Sequence, residues 1–339
     1  MTDALRENVH LWDLATCRDE YAPSFIDQYG RPRQFVSGGR DALDPVVSRF
    51  LADRGLVPSW PGDAPFAVAL SHDIDILRVF PYEIGLALLD RRFRAAGRLA
   101  LGRLMRRFNE HWNLRRIMDI EAAYGARSTF NVLALEPGER DFTYRVDDVR
   151  DDLREIVRRG WEIGLHGGHD AYRDPVALRR EKARLERILG APVVGYRSHY
   201  LRFAVPETWA LLAAAGFAYD ATFGYADCVG FRNGMCHPFR PFDRRAAAPI
   251  DIVEIPLAVM DRTLEGYHRL SAEKAWEVVA RLIDVVAECR GVLGVLWHNT
   301  TFAEEYGALY ERLLAACRAR GAWMTSYGEV CRWWQSQGV

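Results

Sequence analysis

From residue 66 onward, short apolar runs alternate with longer amphipathic stretches. Phe66–Leu70 is apolar throughout, and similar short runs recur at 127–133, 161–165, 192–196, 252–256 and 292–297. Runs this short, flanked by turn residues, read as strands buried on both faces. Between them lie stretches with helical period at 150–159, 173–188, 207–215, 272–289 and 304–319. Strand–helix alternation predicts an α/β fold with a parallel sheet or a barrel. In such folds the side chains that do chemistry collect at the C-terminal ends of the strands.

Residues 1–62 are less periodic and rich in turn signals, Gly38-Gly39 among them, with one helix expected near 43–54. They read as an N-terminal extension. The turn-rich Trp60–Pro65 marks the boundary to a catalytic domain over 63–339. One stretch breaks the rhythm of that domain. Residues 81–118 form a helical insertion after the first strand, basic and amphipathic, with Arg91-Arg92-Phe93-Arg94 and Arg103-Leu104-Met105-Arg106-Arg107-Phe108. Its plain reading is a solvated helix pair packed on the domain. Its sharper reading is a lid, or a dock for an anionic substrate or a membrane surface through 91–107.

Composition narrows the function classes. Lys and Arg number 45 against 46 Asp and Glu, a balance that argues against bulk nucleic-acid binding. The six cysteines include no CxxC pair, so a zinc ribbon or dithiol motif is unsupported. The polar first residues lack the apolar core of a secretory signal, and no apolar run reaches the roughly 20 residues of a membrane helix. A cytoplasmic protein with reduced thiols is the expectation.

The polar residues that follow the runs supply candidate chemistry. The first run leads into Ser71-His72-Asp73-Ile74-Asp75, where one carboxylate can bind a metal and the other can act as a base. One aspartate alone would be an ordinary helix cap. The third leads into His166-Gly167-Gly168-His169-Asp170; spacings of three and four would put His169 or Asp170 beside His166 on one helical turn. The fourth leads into Arg197-Ser198-His199-Tyr200. Arg197 can orient a carboxylate through a forked hydrogen bond, His199 can ligate a metal, and Tyr200 can donate to an oxyanion. The last leads into Trp297-His298, placing a general acid at the same mouth. Trp297, Tyr225 and Phe231 offer apolar faces to a sugar, with core packing as the plainer role. Asp220, in the long loop 220–239, is a substrate contact or a turn residue.

Taken in order, Asp73-x-Asp75, His166 with a partner, Arg197-x-x-Tyr200 and Leu296-x-His298 resemble the NodB-type polysaccharide deacetylases, carbohydrate esterase family 4, over about 66–335. The resemblance implies a distorted (β/α)7-type barrel. It also implies a divalent ion, zinc first with cobalt, nickel or manganese as alternatives, and removal of N- or O-acetyl groups from a glycan. It maps Asp73 to the base, Arg197 to its tether, Asp75 and His166 to the metal, and His298 to the acid. Two departures stand out. Asp170 stands where the family has its second histidine, and His199 stands where it has a proline. The third ligand therefore stays open among His199, Asp170 and His169. Two alternatives accompany this reading: a metal-free hydrolase of small cyclic amides in the same superfamily, and an inactive glycan-binding protein. The expected substrate is a glycan or a nucleotide- or lipid-linked sugar precursor.

Overall fold

The computed structural model describes residues 2–23, 25–33, 41–302 and 304–337; Gly38-Gly39 lies outside them. The apolar runs become the strands β1 (Ala67–Ile74), β2 (Thr129–Leu133), β3 (Glu162–Gly167) and β4 (Gly195–Ser198). The two-residue β5 (Tyr219–Asp220) follows, then a small hairpin of β6 (Phe242–Asp243) and β7 (Ala248–Pro249). The chain continues through β8 (Val253–Glu254), β9 (Val259–Met260), β10 (Val292–Leu296) and β11 (Trp323–Ser326). Apart from the hairpin, all pairing between these strands is parallel, in the order β8-β5-β4-β3-β2-β1-β10-β9, with β11 also on β1.

Parallel strands wrapped by helices lose solvent on both faces, which is why β1, β2 and β10 are buried at every position. The sheet curls into a partly open barrel. β8 pairs with β5 and β9 pairs with β10, so the single segment Val253–Met260 joins one edge to the other. The architecture is the expected distorted barrel.

The helices fall close to their expected spans: Arg150–Arg158, Pro175–Leu189, Glu207–Ala214, Ala272–Glu288 and Glu304–Ala319. Pro175 at the first helical position and the Asp174 side chain, which accepts from Val176 N and Ala177 N, start the second of these; Gly190, at φ 70°, ends it. In the extension, the short helices Thr2–Arg6 and Val9–Ala15 precede the expected one, Val46–Ala52, which docks on the barrel where Val47 N donates to Gly234 O at 2.9 Å. The insertion contains Pro81–Leu89 and Phe93–Leu104, and a third helix, Leu114–Ala123, leads to β2.

Two strands run further than their apolar stretches. β1 continues through Ser71, His72 and Asp73, and β3 through His166. The alternation of a strand then sorts the residues of β1. Asp73 shares a face with Ser71. His72 points the other way and is buried, its Nδ1 donating to Trp297 O at 2.7 Å and its Nε2 bonding Glu121 at 2.8 Å. That histidine is a core residue of the helix–sheet interface.

Glu181 faces the backbone of the turn after β3, accepting from Gly168 N at 2.7 Å. Burial pushes its carboxyl up to about 7. A folded-state value above the unfolded one gives stability that is present at low pH and is lost as pH rises from about 4.5 to about 7. Glu181→Gln keeps an acceptor for Gly168 without the charge. The variant is expected to be more stable than the native protein by about 1 kcal/mol or less at pH 5 and by about 3 kcal/mol at pH 8. Urea unfolding at both pH values checks this; a gap that does not widen with pH would refute it.

Candidate active site

At the C-terminal ends of the strands lies a cavity of about 400 Å³. Its floor is made by Asp73, Asp75, His166, His199 and His298. The backbone around Asp75 is pinned, since Tyr144 Oη donates to Ile74 O at 2.7 Å and Thr143 Oγ1 donates to Asp75 O at 2.5 Å. His166 donates from Nδ1 to Arg197 O at 3.1 Å, which fixes its tautomer and turns Nε2 toward the cavity. His199 reaches the same point by a different route. The chain turns sharply after β4, with Tyr200 and Leu201 in the left-handed region at φ 59° and 54°. This turn throws the His199 ring back, edge to face with His166 at 4.9 Å between centroids.

Three donor atoms converge. His166 Nε2 is 3.1 Å from Asp75 Oδ1 and 3.0 Å from His199 Nδ1, and Asp75 Oδ1 is 3.5 Å from His199 Nδ1. Asp75 Oδ1 is buried with no hydrogen-bond partner among the described residues. Two ligands about 2.1 Å from one ion, about 90–109° apart, lie roughly 3.0–3.4 Å from each other. The observed spacings match that closely, and a carboxylate with two imidazoles suits a borderline divalent cation. The site fits a metal ion with Asp75, His166 and His199 as its protein ligands.

Charge follows from the same packing. Burial would raise the Asp75 carboxyl, but His199, His166 and His298 hold it well below the usual carboxylate range. Burial pushes His199 down to about 4, which keeps its ring neutral and its lone pair free.

Asp73 and His298 flank the three donors. Asp73 Oδ2 is 3.7 Å from His166 Nε2, and His298 Nε2 is 3.6 Å from Asp75 Oδ2. Each is held from behind by a residue that the sequence did not single out. Asn131 on β2 donates to Asp73 Oδ1 at 2.8 Å. Its neighbour in register is Gly164, where a Cβ would stand 2.4 Å from Asn131 Oδ1. Asp261, next after β9, accepts from His298 Nδ1 at 2.7 Å and from His298 N at 2.8 Å. Burial works against a cation at His298, but the Asp261 carboxylate outweighs it and raises the ring to about 9. A polar residue inside an apolar run was the available signal for Asn131; Asp261 follows a strand too short to read.

Other expectations are corrected. His166 lies in β3 and residues 168–173 form turns rather than a helix, so the spacings of three and four put neither His169 nor Asp170 beside His166. His169 Nδ1 bonds Asp141 at 3.0 Å, and Asp170 pairs with Arg173 at 2.8 Å. Arg197 is fully buried but does not fork onto Asp73. Its Nη2 donates to Ser71 Oγ at 2.8 Å, and its Nε and Nη1 have no hydrogen-bond partner among the described residues. It acts on Asp73 through its field. Burial opposes the Arg197 charge, Asp73, Tyr327 and Asp220 favour it, and the net shift is upward. Trp297 packs against Tyr306 and Tyr310, Tyr225 donates to Arg232 O at 3.2 Å, and Phe231 is fully buried. Asp220 is buried on β5, accepting from Thr222 at 2.6 Å. None of these four lines the cavity; Tyr200 does.

The wall opposite the donors comes partly from the N-terminal extension. Tyr29 stacks on Tyr200 with centroids 4.6 Å apart, and Arg31 donates to Tyr200 O at 2.7 Å and to Tyr267 Oη at 2.9 Å. Arg262, half exposed, stands at the rim. Tyr200 apart, no sequence pattern marked these residues.

The curled parallel barrel is the fold of solved structures described as polysaccharide deacetylases, and the chain shares that NodB-type fold. Among solved structures it resembles a protein from Mycobacterium smegmatis described as a polysaccharide deacetylase, at TM-score 0.59 and 20% identity. That match covers 84% of this chain and 94% of the other. It resembles Puue allantoinase at TM-score 0.57 and 16% identity, over 92% and 98% of the two chains. A third, described as a polysaccharide deacetylase of Pseudomonas aeruginosa PAO1, gives TM-score 0.57 and 15% identity, over 91% and 99%. The sequence alone matches no family model and no curated protein.

Proposed function

We propose that the protein is a divalent-metal-dependent hydrolase that removes an N-acetyl or O-acetyl group from a sugar. The observation that carries this reading is the convergence of Asp75, His166 and His199 between a tethered carboxylate, Asp73, and a tethered imidazole, His298. A cavity of about 400 Å³ is large enough for a sugar unit, and Tyr29, Tyr200 and Tyr267 offer it aromatic faces.

A bound divalent ion supplies Lewis acidity, activating water and polarising the acyl carbonyl. The chain supplies the rest. Asp73, oriented by Asn131, takes the proton of the attacking water. His298, held as an imidazolium by Asp261, faces the cavity with its Nε2 and gives its own Nε2 proton to the leaving amine or hydroxyl. The buried floor excludes bulk water, which strengthens both interactions.

Two proton-transfer groups on opposite sides of one donor cluster favour chemistry over simple glycan binding. The test is acetate release from N-acetylated sugar oligomers by purified protein, before and after chelator dialysis. The expected result is release that is lost with the metal and restored by adding zinc, cobalt, nickel or manganese. Opening of a cyclic amide by metal-free protein would overturn the proposal, as would absence of any hydrolysis with metal bound.

A further inference from the structure

The insertion after β1 carries a surface that the proposed chemistry does not use. On Pro81–Leu89 the side chains of Tyr82, Leu86 and Leu89 recur at intervals of four and three and are all exposed. On Phe93–Leu104 the exposed Phe93, Leu101 and Leu104 fall on one side of the helix. Leu89 and Leu104 are 80% and 81% exposed, close to the value for a free chain. Scattered apolar residues on a surface are ordinary, but a set of this size on two adjoining helices marks a contact surface.

Charge selects the partner. Residues 81–108 contain seven arginines against two carboxylates. One of those, Glu83, is turned inward, accepting from Phe80 N at 2.7 Å and standing 3.3 Å from His111. Arg91, Arg92 and Arg94, all exposed, lie between the two apolar stripes. Beside Leu104, the side chains of Arg78, Arg103 and Arg106 line a cavity of about 390 Å³. Asp148 and Asp152 face Arg78 and Arg106, while Arg103 donates to a carbonyl, that of Val79. Apolar side chains ringed by arginines, next to an arginine-lined hollow, complement a lipid leaflet with anionic phosphate headgroups. No helix among the described residues is long and apolar enough to cross a membrane, so the helices would lie in the interface.

We propose that helices Pro81–Leu89 and Phe93–Leu104 dock the protein on an anionic lipid bilayer. The surface springs from the same end of the barrel as the cavity. The insertion leaves β1 directly after Asp75 and is tied back beside His298, where Asn299 Nδ2 donates to His111 O at 2.7 Å and Asn113 Nδ2 to Asn299 O at 2.8 Å. Resting on the deacetylase reading, the substrate it serves is a sugar carried on a lipid anchor; the docking itself does not depend on that reading.

The test is sedimentation of the full chain with vesicles of phosphatidylglycerol and phosphatidylcholine, against phosphatidylcholine alone. Binding to the anionic vesicles that weakens with salt is expected. Leu89→Glu with Leu104→Glu should lower partitioning at least about 100-fold, since each buried leucine is worth roughly tenfold or more. Reversing Arg91, Arg92 and Arg94 to Glu should lower it by a similar factor, at roughly fivefold per arginine removed. The thermal midpoint and metal content should not move in either variant. No binding to anionic vesicles, or variants that bind as well as the native chain, would overturn the proposal. So would a native dimer that the leucine variant dissociates, which assigns the surface to a second copy. Acetate release from a soluble acetylated sugar, measured in parallel, separates this result from failure of the deacetylase reading.

Discussion

Asp73→Asn is expected to lower kcat by about 10²–10⁴ while leaving the metal content unchanged. The side chain is not one of the three converging donors, and asparagine keeps its size and its contact with Asn131, whose amide can rotate to suit. Only the ability to accept the proton of water is lost. The deficit should appear equally with an N-acetyl sugar and with an activated aryl acetate, because both reactions need an activated water. His298→Ala should behave differently. A phenolate leaves without a proton and an amine does not, so the amide reaction should fall by a similar factor while the aryl ester is largely spared. Steady-state kinetics on the two substrates, with metal analysis of each variant, check the pair. Equal sensitivity of the ester to both variants would remove His298 from its role as acid.

His199→Ala is expected to abolish stoichiometric metal binding at micromolar free metal and to lower activity at least about 100-fold; His169→Ala and Asp170→Ala should retain the metal. Three protein ligands are the usual complement of a hydrolytic zinc site, and removing one leaves two. His199 is buried and 3.0 Å from His166, whereas His169 and Asp170 are engaged with Asp141 and Arg173. Metal analysis after gel filtration distinguishes them directly. Retention in His199→Ala together with loss in either of the others would reverse the assignment.

The barrel was legible because its strands are buried on both faces, which leaves an apolar run wherever the chain crosses the core. What the runs could not show is where the strands end. The hydrogen-bond ladder of a parallel sheet continues regardless of side-chain polarity, so β1 carries on through Ser71-His72-Asp73 and β3 through His166. The two-residue strands β5, β8 and β9 are too short to leave a period.

The candidate site divides along the same line. Asp73, Asp75, His166 and His298 stood out because each sits at or just beyond an apolar run. His199 was one of three options for the last ligand, and its selection depends on left-handed residues at Tyr200 and Leu201, neither of them glycine. Nothing in those residue types announces such a turn. Arg197 was expected to hold Asp73 by a fork. The register instead gives that task to Asn131 and leaves the guanidinium beneath the floor. The extension contributes Tyr29 and Arg31 to the wall by a long-range return of the chain that no local pattern encodes.

The segment Val253–Met260, which joins the two edges of the sheet, leads directly into Asp261. The segment that links the two edge strands therefore also sets the orientation of the His298 ring. A displacement of that segment would draw away from His298 the carboxylate that sustains the charge on its ring.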